Sequence, residues 1–523
     1  MQESLKQKLY NNRYTLTVMF FIAVGVVVRV AGFGKIPAGF NQDEAFAAYE
    51  AFSLLNYGVD SAGNVFPTYF VSWGSGMNVL QSYLAIPFMW LFGASEAVFR
   101  LPSLISAIFT LPVFYLILKR IFGKLVALIG LGIMAVSPWH IMISRFGLES
   151  NLAPAFFLFG FYFLLKGIEK NPYFLLAALF FGLSLYAYSI MWLVVPLVLI
   201  VFGIYILRHT TKIKIGYVVC ACLLLLLFAL PHILFLAINL GGIPEIKTPF
   251  FTIPKLVVMR GEEVSLLNIF SFNNWVNLFW VLILQYDCIP WNSSPEFGLF
   301  YHISLPFLIV GAVMLIRRLL ADIKKKRLSG AYFILSGFLS TVLISLMLFN
   351  LNVNKSNCMH LFTLCIVAFG VYSVIDFVRH KKTVIISLVV AFAICFTLFC
   401  GYYFGGNAVI SEGFADGIGE SVEFVKNENC QKVAVDRNIF HSHILYYDKT
   451  PPMEFKNTVK YEVYPYPYLK ATSFGKYTFG IEYNDLGDYD AYIFPIDHLY
   501  FFSDEDYNIT RFSEYAVAIR NGI

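Results

Sequence analysis

The chain has 523 residues, 58% hydrophobic and only 14% charged, with a mean hydropathy of +0.68. Soluble domains carry about 25% charged residues, so this composition excludes a soluble globular enzyme. The net charge of +5 sits in short Lys/Arg clusters beside apolar runs, which orients those runs in a membrane and argues against a nucleic-acid footprint.

Taken in order, the first apolar run, 15–33, follows a basic start that includes Lys6, Lys8 and Arg13. It lacks a small-residue cleavage site and reads as a retained signal-anchor. Further runs cover 79–92, 100–118, 125–143, 152–168, 173–189, 191–207, 216–238, 299–316, 331–349, 360–378 and 384–404. Most have the length that crosses a ~30 Å hydrocarbon core. The expected architecture is an all-α polytopic membrane protein with about 11–13 transmembrane helices. Its transmembrane module is 1–404, with long loops at 34–78 and 239–298. Basic clusters near Arg208, Arg317 to Arg327 and Arg379 to Lys382 read as cytoplasmic, which puts both loops and the C-terminal tail outside. Seven candidate spans separate the two loops, and a shared side requires an even number. One span therefore fails to cross. The short 79–92 run and the irregular 125–168 region are the two candidates, since broken backbone is tolerated at membrane depth only where protein or water covers it.

The tail, 405–523, changes character. It is rich in Asp, Glu, Tyr and Asn, with short apolar runs near Val433, Ala491 and Tyr515 and helical spacing over Glu420 to Lys426. This predicts a small extracytoplasmic α/β domain. The 464–468 segment alternates Tyr and Pro and reads as a stiff extended loop. The eight cysteines show no CxxC or metal spacing and read as small apolar residues.

Candidate chemistry begins at Asn41-Gln42-Asp43-Glu44, just outside the first span. The acids suit the first turn of a helix capped by Asn41. They equally suit a general base at the membrane surface. A polyprenyl-phosphate sugar presents its sugar there, and its phosphate leaves without a general acid. One base for the acceptor hydroxyl and cations for the phosphate are what the chemistry needs. Such a displacement inverts the anomeric centre. Arg145 and Glu149 are four apart, which a helix would place on one face, either as a salt bridge or lining a cavity with His140. Arg100 opens a span and reads as a snorkelling anchor or a substrate-binding group. Lys355, a lone Lys in an outside loop, is a phosphate-binding candidate. Lys255, Arg260, Asp287 and His302 are weaker ones. His441-x-His443 reads as a solvated pair, since two His alone are poor evidence for metal. No P-loop, GxGxxG, HExxH or GxSxG motif is present.

These residues resemble a known group. Asn41-Gln42-Asp43-Glu44-Ala45, Gly63-Asn64-Val65-Phe66-Pro67-Thr68-Tyr69-Phe70, Arg100-Leu101-Pro102-Ser103, and Ser137-Pro138-Trp139-His140 with Ser144-Arg145 and Glu149-Ser150-Asn151 are similar to the protein-O-mannosyltransferase-like family. That is glycosyltransferase family 39, of the GT-C fold, related to aminoarabinose transferases. The likeness covers about the first 200 residues well. It implies a polyprenyl-phosphate sugar donor, with Asp43 as base and Glu44 as its support. Tyr69, Arg100, His140, Arg145, Glu149 and Lys355 are then the substrate-binding candidates. The chain departs from the family at Ser75-Gly76-Met77-Asn78, at Lys355 where Arg is common, and at Ser189-Ile190-Met191-Trp192.

The leading expectation is an inverting glycosyltransferase at the outer face of the plasma membrane. Its acceptor is a glycan, protein or wall polymer, membrane lipid surrounds it, and nucleic acid is not a partner. The sequence singles out no cofactor, and a divalent metal stays open because carboxylates near a phosphate could hold one. A polyprenyl-lipid or polysaccharide flippase, or a non-catalytic membrane assembly protein, is the alternative. A transporter would keep charges near mid-membrane, whereas here they gather at external span ends.

Overall fold

The computed structural model describes residues 2–259, 263–406, 413–428, 430–462 and 469–522, with side chains from residue 12 onward. The Tyr-Pro loop at 464–468 and Arg260 lie outside these residues. In chain order the helices are α1 (Gln2–Val30), α2 (Gln42–Tyr57), α3 (Leu80–Phe92), α4 (Glu96–Phe122), α5 (Lys124–Val136), α6 (Pro138–Met142), α7 (Glu149–Gly167), α8 (Tyr173–Ala187), α9 (Met191–His209) and α10 (Ile215–Gly241). Beyond a long loop come α11 (Phe272–Phe279), α12 (Leu305–Lys324), α13 (Gly330–Met347), α14 (Asn357–Phe377) and α15 (Lys381–Phe404). The tail adds α16 (Ile418–Asn427), α17 (His441–Asp448) and α18 (Pro452–Thr458).

Among the described residues, eight helices are long and apolar enough to cross a membrane. Helical runs suit lipid because every backbone N–H and C=O is paired within the segment. Helices α3 and α5 have 13 residues each. At 1.5 Å per residue that is about 20 Å, short of a ~30 Å core: the 79–92 run is helical over nearly its whole length but short, and the 125–143 run stops at Val136. The second of these breaks after Val136, where Pro138 opens the five-residue α6.

The chain divides into two compact units. The first comprises Met1–Phe33, Ser103–Leu230 and Gly261–Asn407. Within it α12 and α14 approach closely at two glycines. A Cβ on Gly311 would lie 2.0 Å from the Ile366 carbonyl oxygen, and one on Gly370 would lie 1.9 Å from that of Phe307. Small residues at such crossings let helix backbones touch where lipid supplies no hydrophobic drive.

The second unit comprises Gly34–Pro102, Pro231–Arg260 and Ala408–Ile523. Its tail holds a seven-stranded mixed sheet built from β3 to β9, after the short ribbon of β1 (Ile246–Lys247) and β2 (Thr252–Ile253). The strands are β3 (Val433–Val435), β4 (Lys460–Tyr461), β5 (Ala471–Phe474), β6 (Tyr477–Phe479), β7 (Ala491–Pro495), β8 (Tyr507–Phe512) and β9 (Tyr515–Arg520), in the order β4-β5-β6-β3-β7-β9-β8. Strand β3 is parallel to both neighbours and the other pairs are antiparallel. Strands β7 and β9 are buried almost throughout, as expected for central strands covered on both faces. Tyr492, Phe494, Phe502 and Tyr507 form a core cluster. All eight cysteines are free.

Candidate active site

In the second unit, the sequence at 41–44 builds the start of α2. Asn41 adopts extended backbone, and its side chain accepts the Asp43 N–H at 3.1 Å. That satisfies one of the donors every helix start leaves open and fixes both acids in the first turn. Two faces of the turn then diverge. Glu44 points inward and is wholly buried. Arg100 meets both its oxygens, Nε to Oε1 and Nη2 to Oε2, each at 2.7 Å. The same guanidinium donates to the carbonyls of Pro37 at 2.8 Å and Gly39 at 2.6 Å, and lies over the Phe40 and Phe414 rings. Arg100 is therefore not a snorkelling anchor. Its side chain runs into the protein because Glu44 compensates the charge there, and it positions the loop that carries the acids. Asp43 stays half-buried, and the Trp73 indole N–H donates to its Oδ1 at 3.0 Å.

The tail forms the back of this loop. Ser442 Oγ donates to the Gln42 carbonyl at 3.0 Å, and His443 Nε2–H to that of Phe40 at 2.9 Å. The Ala415 N–H reaches the Phe40 carbonyl at 3.0 Å, and Asn41 Nδ2 donates to the Gly413 carbonyl at 3.1 Å. His441 and His443 are both buried, which corrects their expected solvated placement. Burial lowers the pKa of His441 to about 3 and of His443 to about 4, so both rings are neutral at physiological pH. Their environment depends on contacts some 400 residues away in sequence, which no local pattern signals.

Tyr69 is buried and packs, tilted, against Phe235 with ring centroids 4.6 Å apart. Further along α2, Glu50 accepts hydrogen bonds from the Ser61 N–H at 2.8 Å and from the Ser61 hydroxyl. Asp60 accepts from the N–H of Asn64 at 2.6 Å. Burial, then the neighbouring Asp60, pushes the Glu50 carboxyl well above the carboxylate range. Burial raises Asp60 to about 6. No motif in the sequence points to this pair.

The first unit holds the Ser137–Asn151 motif as a buried knot. Ser137 Oγ and the Trp139 N–H both donate to the Leu299 carbonyl, at 2.9 and 3.0 Å. Trp139 Nε1 donates to Asn357 Oδ1 at 2.8 Å, and Asn357 Nδ2 to the Ser150 carbonyl at 3.2 Å. His140 Nδ1 accepts from Arg29 Nη2 at 2.7 Å, which makes it the neutral Nε2–H tautomer. Arg29 went unassigned in the sequence, although a single Arg inside an otherwise apolar span is itself a signal. Arg145 is wholly buried, donates to the carbonyls of Val28 at 3.2 Å and Arg29 at 2.9 Å, and lies over the Tyr403 and Phe404 rings. The expected shared helical face for Arg145 and Glu149 is not formed. Helix α6 ends at Met142 and α7 begins at Glu149, so Arg145 sits in the intervening turn.

Lys355 is not a lone cation: its Nζ donates to the Phe349 carbonyl at 2.7 Å and sits 3.6 Å from Glu263 Oε2. Asp287 accepts from the Val353 N–H at 2.9 Å and from Asn292 at 2.8 Å, and burial raises its pKa. His302 Nε2–H donates to the Pro295 carbonyl at 2.9 Å, and Lys255 is exposed. Among the described residues, no group of three or more His, Cys, Asp or Glu side chains is placed to hold a metal ion.

The family model for dolichyl-phosphate-mannose-protein mannosyltransferase matches residues 79–235. Among solved structures, ArnT from Cupriavidus metallidurans in the apo state is similar at 11% identity and a TM-score of 0.56, over 96% of this chain and 98% of that one. The same protein bound to undecaprenyl phosphate gives 12% identity and a TM-score of 0.52, over 96% and 97%. No curated protein sequence gives a significant match. The chain is a multi-pass membrane protein of the GT-C glycosyltransferase fold with a small C-terminal sheet domain.

Proposed function

We propose that the chain moves a sugar from a polyprenyl-phosphate carrier to an acceptor hydroxyl at the outer face of the plasma membrane, with Asp43 as general base. Asp43 takes the acceptor proton, the acceptor oxygen bonds to the anomeric carbon from the face opposite the phosphate, and the carbon–oxygen bond to phosphate breaks. The anomeric centre inverts, because no glycosyl-enzyme forms. The acceptor is a glycan, a protein or a wall polymer, and the sheet domain lies outside the cytoplasm. Lys355 and Arg145 are the proposed cations for the donor phosphate, and a divalent ion there would add to their charge.

One observation carries this reading. Of two adjacent acids, Glu44 is buried against Arg100, while Asp43 keeps a half-buried carboxylate held at a helix start. A base needs that combination of access and fixed position. The fold likeness to ArnT, one of whose structures holds undecaprenyl phosphate, supports the donor class. The test is turnover of undecaprenyl-phosphate-linked sugars by purified protein in lipid nanodiscs, with product anomers assigned by NMR. Inverted product is expected; retained configuration would overturn the single-base mechanism.

A further inference from the structure

We infer that Trp73 is a positioning residue for the Asp43 carboxylate, held in a strained backbone so that its indole N–H sets the base's orientation. The inference rests on the reading of Asp43 as base and deepens it.

The backbone is the first observation. Trp73 has φ of +51°, inside a short turn over Ser72–Gly74. A bulky non-glycine residue rarely adopts that region, and such outliers persist only where their surroundings over-determine them. Here they do. The Trp73 carbonyl accepts the Leu469 N–H at 2.8 Å, and the Gly74 carbonyl accepts those of Val257 and Val258 at 3.0 and 2.9 Å. Gly74 and Gly76 also have positive φ, so the turn is bought with glycines on one side and strain only at Trp73.

The side chain is the second. The indole packs on Phe46 of α2 at 5.8 Å, and edge-on to Phe440 at 5.5 Å and His441 at 4.8 Å. His441 in turn stacks on Phe455 at 5.9 Å. A neutral imidazole in that place packs like any aromatic ring and puts no positive charge beside the base. With three rings fixing its plane, the indole has one polar atom, and that atom meets Asp43 Oδ1 at 3.0 Å. A hydrogen bond fixed from outside the helix orients the carboxylate, which is what near-attack geometry requires. The tail thereby acts on the base through His441 and Trp73.

The experiment compares the full chain in nanodiscs with Trp73→Phe and Asp43→Asn. Phe keeps a ring in the cage and removes the N–H. The Trp73 indole band, isolated by ultraviolet resonance Raman as the difference between the unmodified chain and Trp73→Phe, should report a strong hydrogen bond that weakens in Asp43→Asn. In turnover of an undecaprenyl-phosphate-linked sugar, Trp73→Phe should lower kcat about 100-fold with KM unchanged and with thermal stability retained. A band insensitive to Asp43, or a change confined to KM, overturns the inference. Full activity in Asp43→Asn overturns the base reading instead.

Discussion

Arg100 grips both oxygens of Glu44 at 2.7 Å, and neither side chain is exposed to solvent. A buried pair of this kind is a fixed strut. It ties the first turn of α2 to the N-terminal end of α4 and leaves Asp43 as the half-buried member of the acid pair. Removing one partner strands the other as an uncompensated buried charge, which costs about 3–5 kcal/mol. Arg100→Met and Glu44→Gln should each lower the thermal midpoint of the purified protein sharply. The double change Arg100→Met with Glu44→Leu should recover a large part of the loss. Equal stability of all three variants would contradict the strut.

Asp43→Asn keeps the size of the side chain and an oxygen that can accept from Trp73. It removes the ability to take a proton. Transfer should fall by about 10²- to 10⁴-fold, the usual worth of a positioned general base, while membrane insertion and thermal stability hold. Turnover assayed with the donor that the unmodified protein uses would settle it, and undiminished rates would remove Asp43 from the chemistry.

Glu50 and Asp60 make stability depend on pH. Their folded-state pKa values are raised, so the folded chain holds protons that the unfolded chain has released. For Asp60 the window runs from the ordinary value of 3.8 up to about 6. Stability should therefore be greatest below that window and fall as pH rises through it. Glu50→Gln keeps an acceptor for the Ser61 N–H and removes one of the two repelling charges. Its thermal midpoint should exceed that of the unmodified chain above pH 7 and vary less with pH. An unchanged slope would show that the pair does not couple to folding.

Lys355 holds Glu263 loosely, at 3.6 Å, with the lysine side chain 20% exposed. A donor phosphate would compete for that cation. Lys355→Ala should weaken binding of a polyprenyl-phosphate sugar by roughly 10-fold or more, since hydrogen bonds to charged groups are worth about 1.5–3 kcal/mol. Donor titration by calorimetry in nanodiscs reads this out, and unchanged affinity would take Lys355 out of the site.

Much of this was legible in the residues. Most apolar runs became helices, because a chain in lipid must pair its backbone within each segment, but the limits moved: 299–316 became Leu305–Lys324, and 125–143 stopped at Val136. Asn41 announced the cap, because capping is local; the irregularity expected over 125–168 shows itself after Val136, where Pro138 opens α6. The short α3 and the broken α5 were the runs that resisted a simple span count, and both are too short to span, as is the 15-residue α8.

What the sequence determined by itself was the class of chain, the helix starts and the presence of an acid pair at one of them. Which acid is buried, where Arg100 points, why His441 and His443 are neutral and what Trp73 touches were decided only by tertiary structure. The reason is physical. Capping and membrane length act over a few residues, whereas a charge or an imidazole takes its burial and its partner from whatever segment folds against it. For Asp43 those segments come from residues 73 and 100 and from a tail about 400 residues away.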